Sequence, residues 1–198
     1  MLRILLIGLA GLAAIIAVFV VVVATRPANF RVARTAFIAA PPSTIFGHVS
    51  NLHKFQVWSP FAKIDPEAKL TYSGPEAGKD ASFAWAGNAK AGEGSMTCTE
   101  CQPNELLGYR LDFLKPFKGT NQVEFTFKPA EGSTAVTWTM TGTYNFVTKA
   151  MSVFMDCDKM CGPMFEKGLA DLKQLSEAEA KTQRTIDLKE LVKPAPLL

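Results

Sequence analysis

The most pronounced hydrophobic pattern in the chain is an uninterrupted apolar run near its N-terminus. The residues from Ile4 to Ala24 carry no charge, and Arg3 and Arg26 flank the run. At 1.5 Å per helical residue, this length crosses the roughly 30 Å hydrocarbon core of a bilayer. A cleaved signal peptide usually has a shorter apolar region, about 7–15 residues, followed by a small-x-small site, which the ending VVATR lacks. We therefore predict a single uncleaved transmembrane anchor over residues 1–27.

The charges beside this run bear on its orientation. The N-terminal flank carries the α-amino group and Arg3, whereas the other flank carries Arg26, Arg31 and Arg34 and no acid before Asp65. The positive-inside rule favours a cytoplasmic domain here by about one charge. We predict a single-pass protein of the plasma (inner) membrane. Apart from this small bias, the sequence does not decide on which side of the membrane the soluble domain lies.

Beyond the anchor, the apolar positions follow a period of two in several short segments, as in β-strands. The first is Phe30–Ile38, and two short helices follow, one starting at Pro42 and one over Leu52–Trp58. Further strands are predicted over Leu70–Ser73, Ala81–Ala86, Gly94–Cys101 and Leu106–Phe113, around Val123–Phe127, and around Val136–Met140. Because these strands are mostly consecutive, we expect a largely antiparallel sheet.

A long helical stretch follows the strands, from about Phe146 to Ala178. Its apolar residues are spaced by three and four, and Gly162-Pro163 is expected to kink or split the helix. The predicted organisation is an anchor at 1–27, a folded domain at 28–178 and an exposed tail at 179–198. The fold class is α+β: a curved antiparallel sheet of about seven strands around a long C-terminal helix.

A curved sheet around one helix is expected to leave a hydrophobic ligand cavity between them. Because a concave sheet has more inward area than one helix covers, part of the inward-facing set should line that cavity. The predicted lining consists of aromatic side chains, methionines and one carboxylate: Trp58, Phe61, Phe83, Trp85, Tyr109, Phe113, Phe125, Trp138, Met140, Met151, Met155 and Asp158.

Composition and motifs exclude several classes of function. The net charge is only +3, and no basic stripe is interleaved with aromatic residues, so a nucleic-acid partner is not expected. There is no P-loop and no dinucleotide fingerprint, and His48 and His53 stand in no motif with a nucleophile. We expect no cofactor, and the sequence leaves the oligomeric state open.

The four cysteines suggest a metal site only superficially. Cys98 and Cys101 have a zinc-like spacing, but they lie in a predicted strand, where residues three apart point to opposite faces. Cys157 and Cys161 share a helix face, where they could bind a metal or approach each other. We predict no metal site and take free thiols as the default state.

Asp158 is the one candidate for an acid or base. Spacing along the helix places its carboxylate on the apolar stripe that should face the sheet. A carboxylate buried there must be paired or have a raised pKa, because desolvation disfavours its charged form. The alternative is that the proline kink rotates Asp158 outward, or that a Lys or Arg pairs with it.

Several strings, in their order, resemble the START-related (SRPBCC) helix-grip superfamily. They include Ala40-Pro41-Pro42, Trp58-Ser59-Pro60-Phe61, GEGSMT from Gly92, LDFLKPF from Leu111, VTWTMTG from Val136 and FEKGL from Phe165. The likeness covers about residues 31–175 and is nearest to the bacterial polyketide cyclase/dehydrase-type branch with an N-terminal membrane anchor. It implies a cavity for a lipid-like or aromatic ligand but no particular reaction.

Three functions remain open at this stage. The first is a membrane-anchored domain that binds a hydrophobic or lipid-like small molecule between the sheet and the C-terminal helix. The second is a polyketide cyclase/dehydrase-like enzyme that acts on a hydrophobic substrate in the same cavity. The third is an interaction protein without a ligand.

Overall fold

The computed structural model describes residues 1–191 and begins with the apolar helix α1, Leu2–Thr25. By length and composition, this helix is able to cross a membrane. Its described side chains are almost all exposed, and Val23 is the one that is fully buried. The expected apolar helix is therefore present, and it does not form part of the core of the domain.

The expected α+β fold is confirmed, with one sheet of seven strands. All neighbouring strands are antiparallel, in the order β1-β7-β6-β5-β4-β3-β2. The strands are β1 Asn29–Ile38, β2 Lys69–Ser73, β3 Ser82–Ala86, β4 Glu93–Gln102, β5 Leu106–Lys115, β6 Gly119–Ala130 and β7 Ser133–Thr143.

Two short helices and one helical turn connect β1 to β2. They are α2, Pro42–Ser50, α3, Leu52–Trp58, and a 3-10 turn at Phe61–Lys63. Asn51 separates α2 from α3, because its side chain accepts hydrogen bonds from the first free backbone N–H groups of α3. The indole N–H of Trp58 donates to the carbonyl of His48 at 3.0 Å and so joins the two helices.

The break in the C-terminal helical stretch is not where the sequence suggested. Helix α4 covers Phe146–Met151 and helix α5 covers Cys157–Leu191, and Pro163 lies inside α5. The gap ends at Asp156, whose carboxylate accepts the backbone N–H of Asp158 at 2.9 Å and caps the start of α5. The cap, rather than the proline, therefore determines where the second helix begins.

Helix α5 is also longer than predicted. It continues past residue 178 to Leu191, and its last buried side chain is Ala180. Residues 181–189 are exposed and helical. The rest of the predicted tail lies outside the described residues.

The strand register places one set of connections next to α1. Only residues 26–28 separate α1 from β1, which starts where β7 ends. The β3–β4 and β5–β6 hairpin turns lie at the same end of the sheet, as does α4. We call this the α1 end of the sheet, and the opposite end the far end.

Candidate functional site

The inner, concave face of the sheet has a densely filled part. The Phe125 and Trp138 rings stack at 4.9 Å, and Phe165 of α5 stacks on Trp138 at 4.1 Å with nearly parallel planes. The ring of Trp58 meets Trp138 edge-on at 5.6 Å. These four side chains and Tyr109 are buried. Here the protein fills the space between sheet and helices with its own aromatic rings.

The rest of the concave face is less covered, because α5 lies to one side of the sheet. Its main strand contact is with the edge strand β1, and it also packs against β7, α2 and α3. Over β2–β5, towards the α1 end, inner-face side chains remain partly accessible. We call this group the open face; it consists of Leu70, Tyr72, Trp85, Leu111 and Phe113.

The open face has an aromatic row that runs across three strand pairs. Successive ring centroids from Tyr72 to Phe83, from Phe83 to Trp85 and from Trp85 to Phe113 are 6.1, 6.0 and 5.9 Å apart. Offset and edge-on contacts at these distances are favourable, so the row forms a preformed apolar surface. A ligand that met this surface would require little rearrangement of the rings.

Gly94 explains how the Trp85 ring lies flat along the sheet. A Cβ atom at position 94 would lie 2.5 Å from two carbons of the Trp85 ring and would also clash with the carbonyl oxygen of Asp112. Glycine therefore leaves room for the indole, whose N–H donates to the carbonyl of Ala91 at 3.1 Å. Trp85 is thus held by one hydrogen bond and by the close approach of β4.

The residues predicted to line a cavity fall into three groups. In the buried core are Trp58, Phe83, Tyr109, Phe125, Trp138 and Met140. On the open face are Trp85 and Phe113, whereas Leu70, Tyr72 and Leu111, which share that face, were missed. Phe61 is 39% exposed and meets Trp138 and Phe165 edge-on at 6.0 and 6.3 Å.

The third group, Met151, Met155 and Asp158, lies away from the filled part of the concave face. Met151 borders a separate recess next to α1, and Met155 is 45% exposed between α4 and α5. Both methionines lie in or beside the gap that separates the two helices. Their expected position on one continuous helix over the sheet was wrong, because the helical spacing does not extend across that gap.

Asp158 adopts the paired alternative rather than the buried one. Its side chain is half exposed, and its two oxygens accept from Nη1 and Nη2 of Arg34 at 2.8 and 2.9 Å. This bidentate bond lowers the pKa of Asp158 and outweighs the opposing effect of desolvation. The Nε of Arg34 also donates to Glu166 at 2.7 Å, so Arg34 ties β1 to α5.

The polar groups of the concave face are few. On the seven strands, all of which lie within the described residues, no inward position carries Asp, Glu or His. The hydroxyl of Tyr109 donates to the carbonyl of Val49 at 2.8 Å, and burial raises its pKa well above the usual value. The indole N–H of Trp138 is buried and has no acceptor among the described groups.

One histidine stands at the rim of the open face. The ring of His53, from α3, stacks on Tyr72 with centroids 3.8 Å apart. His53 is exposed and has no nucleophile beside it among its described aromatic and polar contacts. Its role in this arrangement is to cover one side of Tyr72.

The cysteines are free thiols, but one part of the sequence argument about them was wrong. A β-bulge between Cys98 and Glu100 adds a residue to β4, so Cys98 pairs with Tyr109 and Cys101 with Leu107, both inward positions. Burial raises the pKa of Cys98 to about 11. Sγ atoms of Cys157 and Cys161 are 3.9 Å apart. Among residues 1–191, no cluster of three or more metal-ligating side chains is present.

A second apolar feature lies between α1 and α4. It is an open recess of about 340 Å³, and every residue that lines it is apolar. The lining consists of Phe19, Phe146, Val147, Ala150, Met151 and Phe154. The recess is built from the helices rather than from the sheet.

The comparison with known families is decisive for the fold. Residues 29–177 match the family model described as polyketide cyclase / dehydrase and lipid transport. The chain belongs to this family. The match covers the whole sheet and most of α5, and it confirms the helix-grip family that the sequence strings suggested. A search of curated proteins gave no match.

Solved structures with the same family fold are distant in sequence. A protein from Chromobacterium violaceum is 15% identical over 77% of this chain and 99% of its own, with a TM-score of 0.54. The Aha1 dimer from Colwellia psychrerythraea is 17% identical over 75% and 96%, with a TM-score of 0.55. At such identities, the likeness of this polyketide cyclase/dehydrase family member to them establishes the fold alone.

A third solved structure comes from a biosynthetic pathway. It is the di-domain ARO/CYC protein StfQ from the steffimycin biosynthetic pathway, 14% identical over 80% of this chain, with a TM-score of 0.53. This family member spans about half of StfQ, 52% of its length. The family fold therefore occurs both as a single domain and as part of a larger protein, and the chemistry must be argued from this chain's own residues.

Proposed function

We propose that the protein is a membrane-anchored domain that binds a hydrophobic, lipid-like small molecule on the open face. The observation that carries the proposal is the incomplete cover of the concave face: Trp85, Leu111 and Phe113 point inward yet remain partly accessible. Burial of apolar surface contributes about 25 cal/mol per Å² removed from water. A ligand that covered these side chains would bind mainly through that burial.

The proposed ligand is largely apolar, with few polar groups. The open face offers the aromatic row and Leu111, and no inward position on its strands carries a carboxylate. Such a surface suits an acyl chain, an isoprenoid or a flat aromatic molecule better than a sugar or nucleotide. The family description, which includes lipid transport, supports this class.

The proposed anchor is α1, as a single-pass membrane span. Its length and its exposed apolar side chains support this role, and only three residues separate the end of the helix from the first strand of the domain. The anchor would hold the open face near a pool of membrane-dissolved molecules. The inner membrane and the slight bias towards a cytoplasmic domain remain predictions from the flanking charges.

Binding is better supported than catalysis. The one sequence candidate for an acid or base, Asp158, is ionised, half exposed and engaged by Arg34. Tyr109 and Cys98 face inward, but both are buried with raised pKa values and are therefore neutral near pH 7. Neither of these two groups is therefore poised to move a proton near neutral pH.

The test is retention of an apolar molecule by the full chain, purified gently from its native membranes. We compare the wild type with Leu111→Asp on the open face and Leu114→Asp on the outer side of the same strand, where Leu114 is 54% exposed. Lipids around α1 co-purify with all three proteins, so the relevant signal is a molecule present in the wild type and Leu114→Asp but depleted in Leu111→Asp. Equal lipid content in all three would refute the proposal.

A further inference from the structure

Exposed apolar side chains of the folded domain concentrate at the α1 end. Phe117, at the tip of the β5–β6 hairpin, is 51% exposed, and Phe146 and Val147 of α4 are 61% and 57% exposed. Phe154, between α4 and α5, is 80% exposed. Large exposed apolar groups in one region of a soluble surface indicate a contact with another apolar phase.

The far end of the sheet has the opposite character. Its connections, at residues 39–41, 74–81, 103–105 and 131–132, expose no large hydrophobic side chain. They carry four exposed acids and one lysine: Glu76, Asp80, Glu105, Glu131 and Lys79. The two ends of the domain therefore differ in both hydrophobicity and charge.

Direct contacts show which part of helix α1 lies beside the α1 end of the domain. The ring of Phe154 stacks on that of Phe19 with centroids 6.1 Å apart, and the ammonium of Lys149 donates to the carbonyl of Ala24 at 3.0 Å. Phe19 is six residues before Thr25, which corresponds to roughly 9 Å along the helix axis. If α1 crosses a bilayer up to Thr25, Phe154 lies below the level of the headgroups.

Charged side chains at the α1 end fit an anionic lipid surface. Lys90 and Lys118 are exposed in the two hairpin turns, and Lys149 lies beside the end of α1. Of the acids at this end, Asp65 accepts from the backbone N–H groups of Glu67 and Asn88, and Glu93 pairs with Lys115, whereas Glu67 and Asp156 are exposed. Basic groups near a membrane surface attract anionic lipids.

We infer that the folded domain itself docks on the bilayer: α4, the segment up to Phe154 and the β5–β6 tip at Phe117 insert into the lipid interface. This inference rests on the proposed role of α1 as a membrane span. The docked position places the recess between α1 and α4 within the lipid and turns the α1 end of the open face towards it. A lipid-like ligand would then reach the open face without crossing water.

The test measures the depth of single positions in the full chain, reconstituted in nanodiscs of phosphatidylethanolamine and phosphatidylglycerol. A spin-labelled amino acid, introduced genetically so that native cysteines are not used, replaces Phe117, Val147 or Glu131. Relaxation by oxygen reports lipid exposure, and relaxation by a water-soluble nickel chelate reports water exposure. We expect the oxygen-to-nickel ratio at positions 117 and 147 to exceed that at position 131 several-fold.

A pair of variants tests whether the apolar tips cause the insertion. With the label at position 147, Phe117→Glu should lower the oxygen-to-nickel ratio. The control, Phe37→Glu, should leave the ratio unchanged, because Phe37 is 60% exposed on the outer face of β1, near the far end. A ratio at positions 117 and 147 equal to that at position 131 would overturn the inference.

A label in place of Val18 separates this inference from the proposed anchor. Val18 is an exposed residue inside α1. Oxygen exposure at position 18 together with water exposure at position 117 would refute docking and leave the anchor intact. Water exposure at position 18 would refute the anchor, and docking with it. Ligand retention by the open face is measured separately and depends on neither result.

Discussion

Gly168 offers a direct test of whether the space beneath α5 is filled. A Cβ atom at this position would lie 2.7 Å from the Trp138 ring and 2.9 Å from Cδ of Pro60. Both neighbours are rigid ring atoms in a buried region, so neither is able to move aside cheaply. Overpacking of this kind costs about 1–3 kcal/mol.

The matched control for Gly168→Ala is Gly47→Ala. Gly47 is also helical, in α2, but a Cβ atom there would meet nothing within 4 Å. Replacing a helical glycine by alanine gains about 0.5–1 kcal/mol from backbone propensity. This gain applies to both variants, so their difference in stability isolates the overpacking at position 168. We expect Gly47→Ala to be slightly stabilised and Gly168→Ala to be about 1–3 kcal/mol less stable than Gly47→Ala.

The assay is thermal unfolding of the full chain in one detergent, followed by near-ultraviolet circular dichroism. For a chain of this size, 1 kcal/mol corresponds to roughly 2–4 °C in the midpoint. Gly168→Ala should therefore unfold several degrees below Gly47→Ala. Equal or higher stability of Gly168→Ala would show that free space exists beside Trp138, and the ligand would then have to be sought beneath α5 rather than on the open face.

Three further variants test individual contacts. Above pH 4 we expect the wild type to be more stable than Asp158→Asn. This advantage should disappear as the pH falls through the lowered folded pKa of Asp158, because protonation breaks the pair with Arg34. An advantage that grows on acidification would contradict the pairing. Tyr109→Phe should cost about 1 kcal/mol, since the carbonyl of Val49 loses its donor, with ligand retention unchanged; depleted ligand would place Tyr109 in the binding surface. Asn51→Ala should cost about 1 kcal/mol through loss of the α3 cap, as measured by unfolding in urea, and no change would contradict that cap.

The sequence predicted most of the fold because its signals are local. Leu52–Trp58 was predicted with the bounds that the structure shows, since Asn51 and Ser59 delimit a short apolar segment. The seven strands followed from the period of two and from the turn residues between them. The same local reasoning misplaced the helix break, because Pro163 received more weight than the capping ability of Asp156.

The candidate site was only partly predictable, because it depends on where α5 crosses the sheet. Strand periodicity gave the inward direction of Trp85, Phe113 and Trp138, but it carries no information on which of them the helix covers. The position of α5 along β1 buries Trp138 and leaves Trp85 and Phe113 partly open. The bulge that turns Cys101 inward likewise arises from strand pairing, which a single sequence does not display.

The most direct test of the central claim is photo-crosslinking from the open face itself. A photoreactive phenylalanine analogue replaces Phe113 in the full chain, and the protein is irradiated in its native membranes, digested and analysed by mass spectrometry. We predict an adduct with an apolar small molecule that is lost when Leu111→Asp is combined with the label. Adducts formed only with the chain's own residues would contradict the account, because they would mean that no ligand occupies this surface.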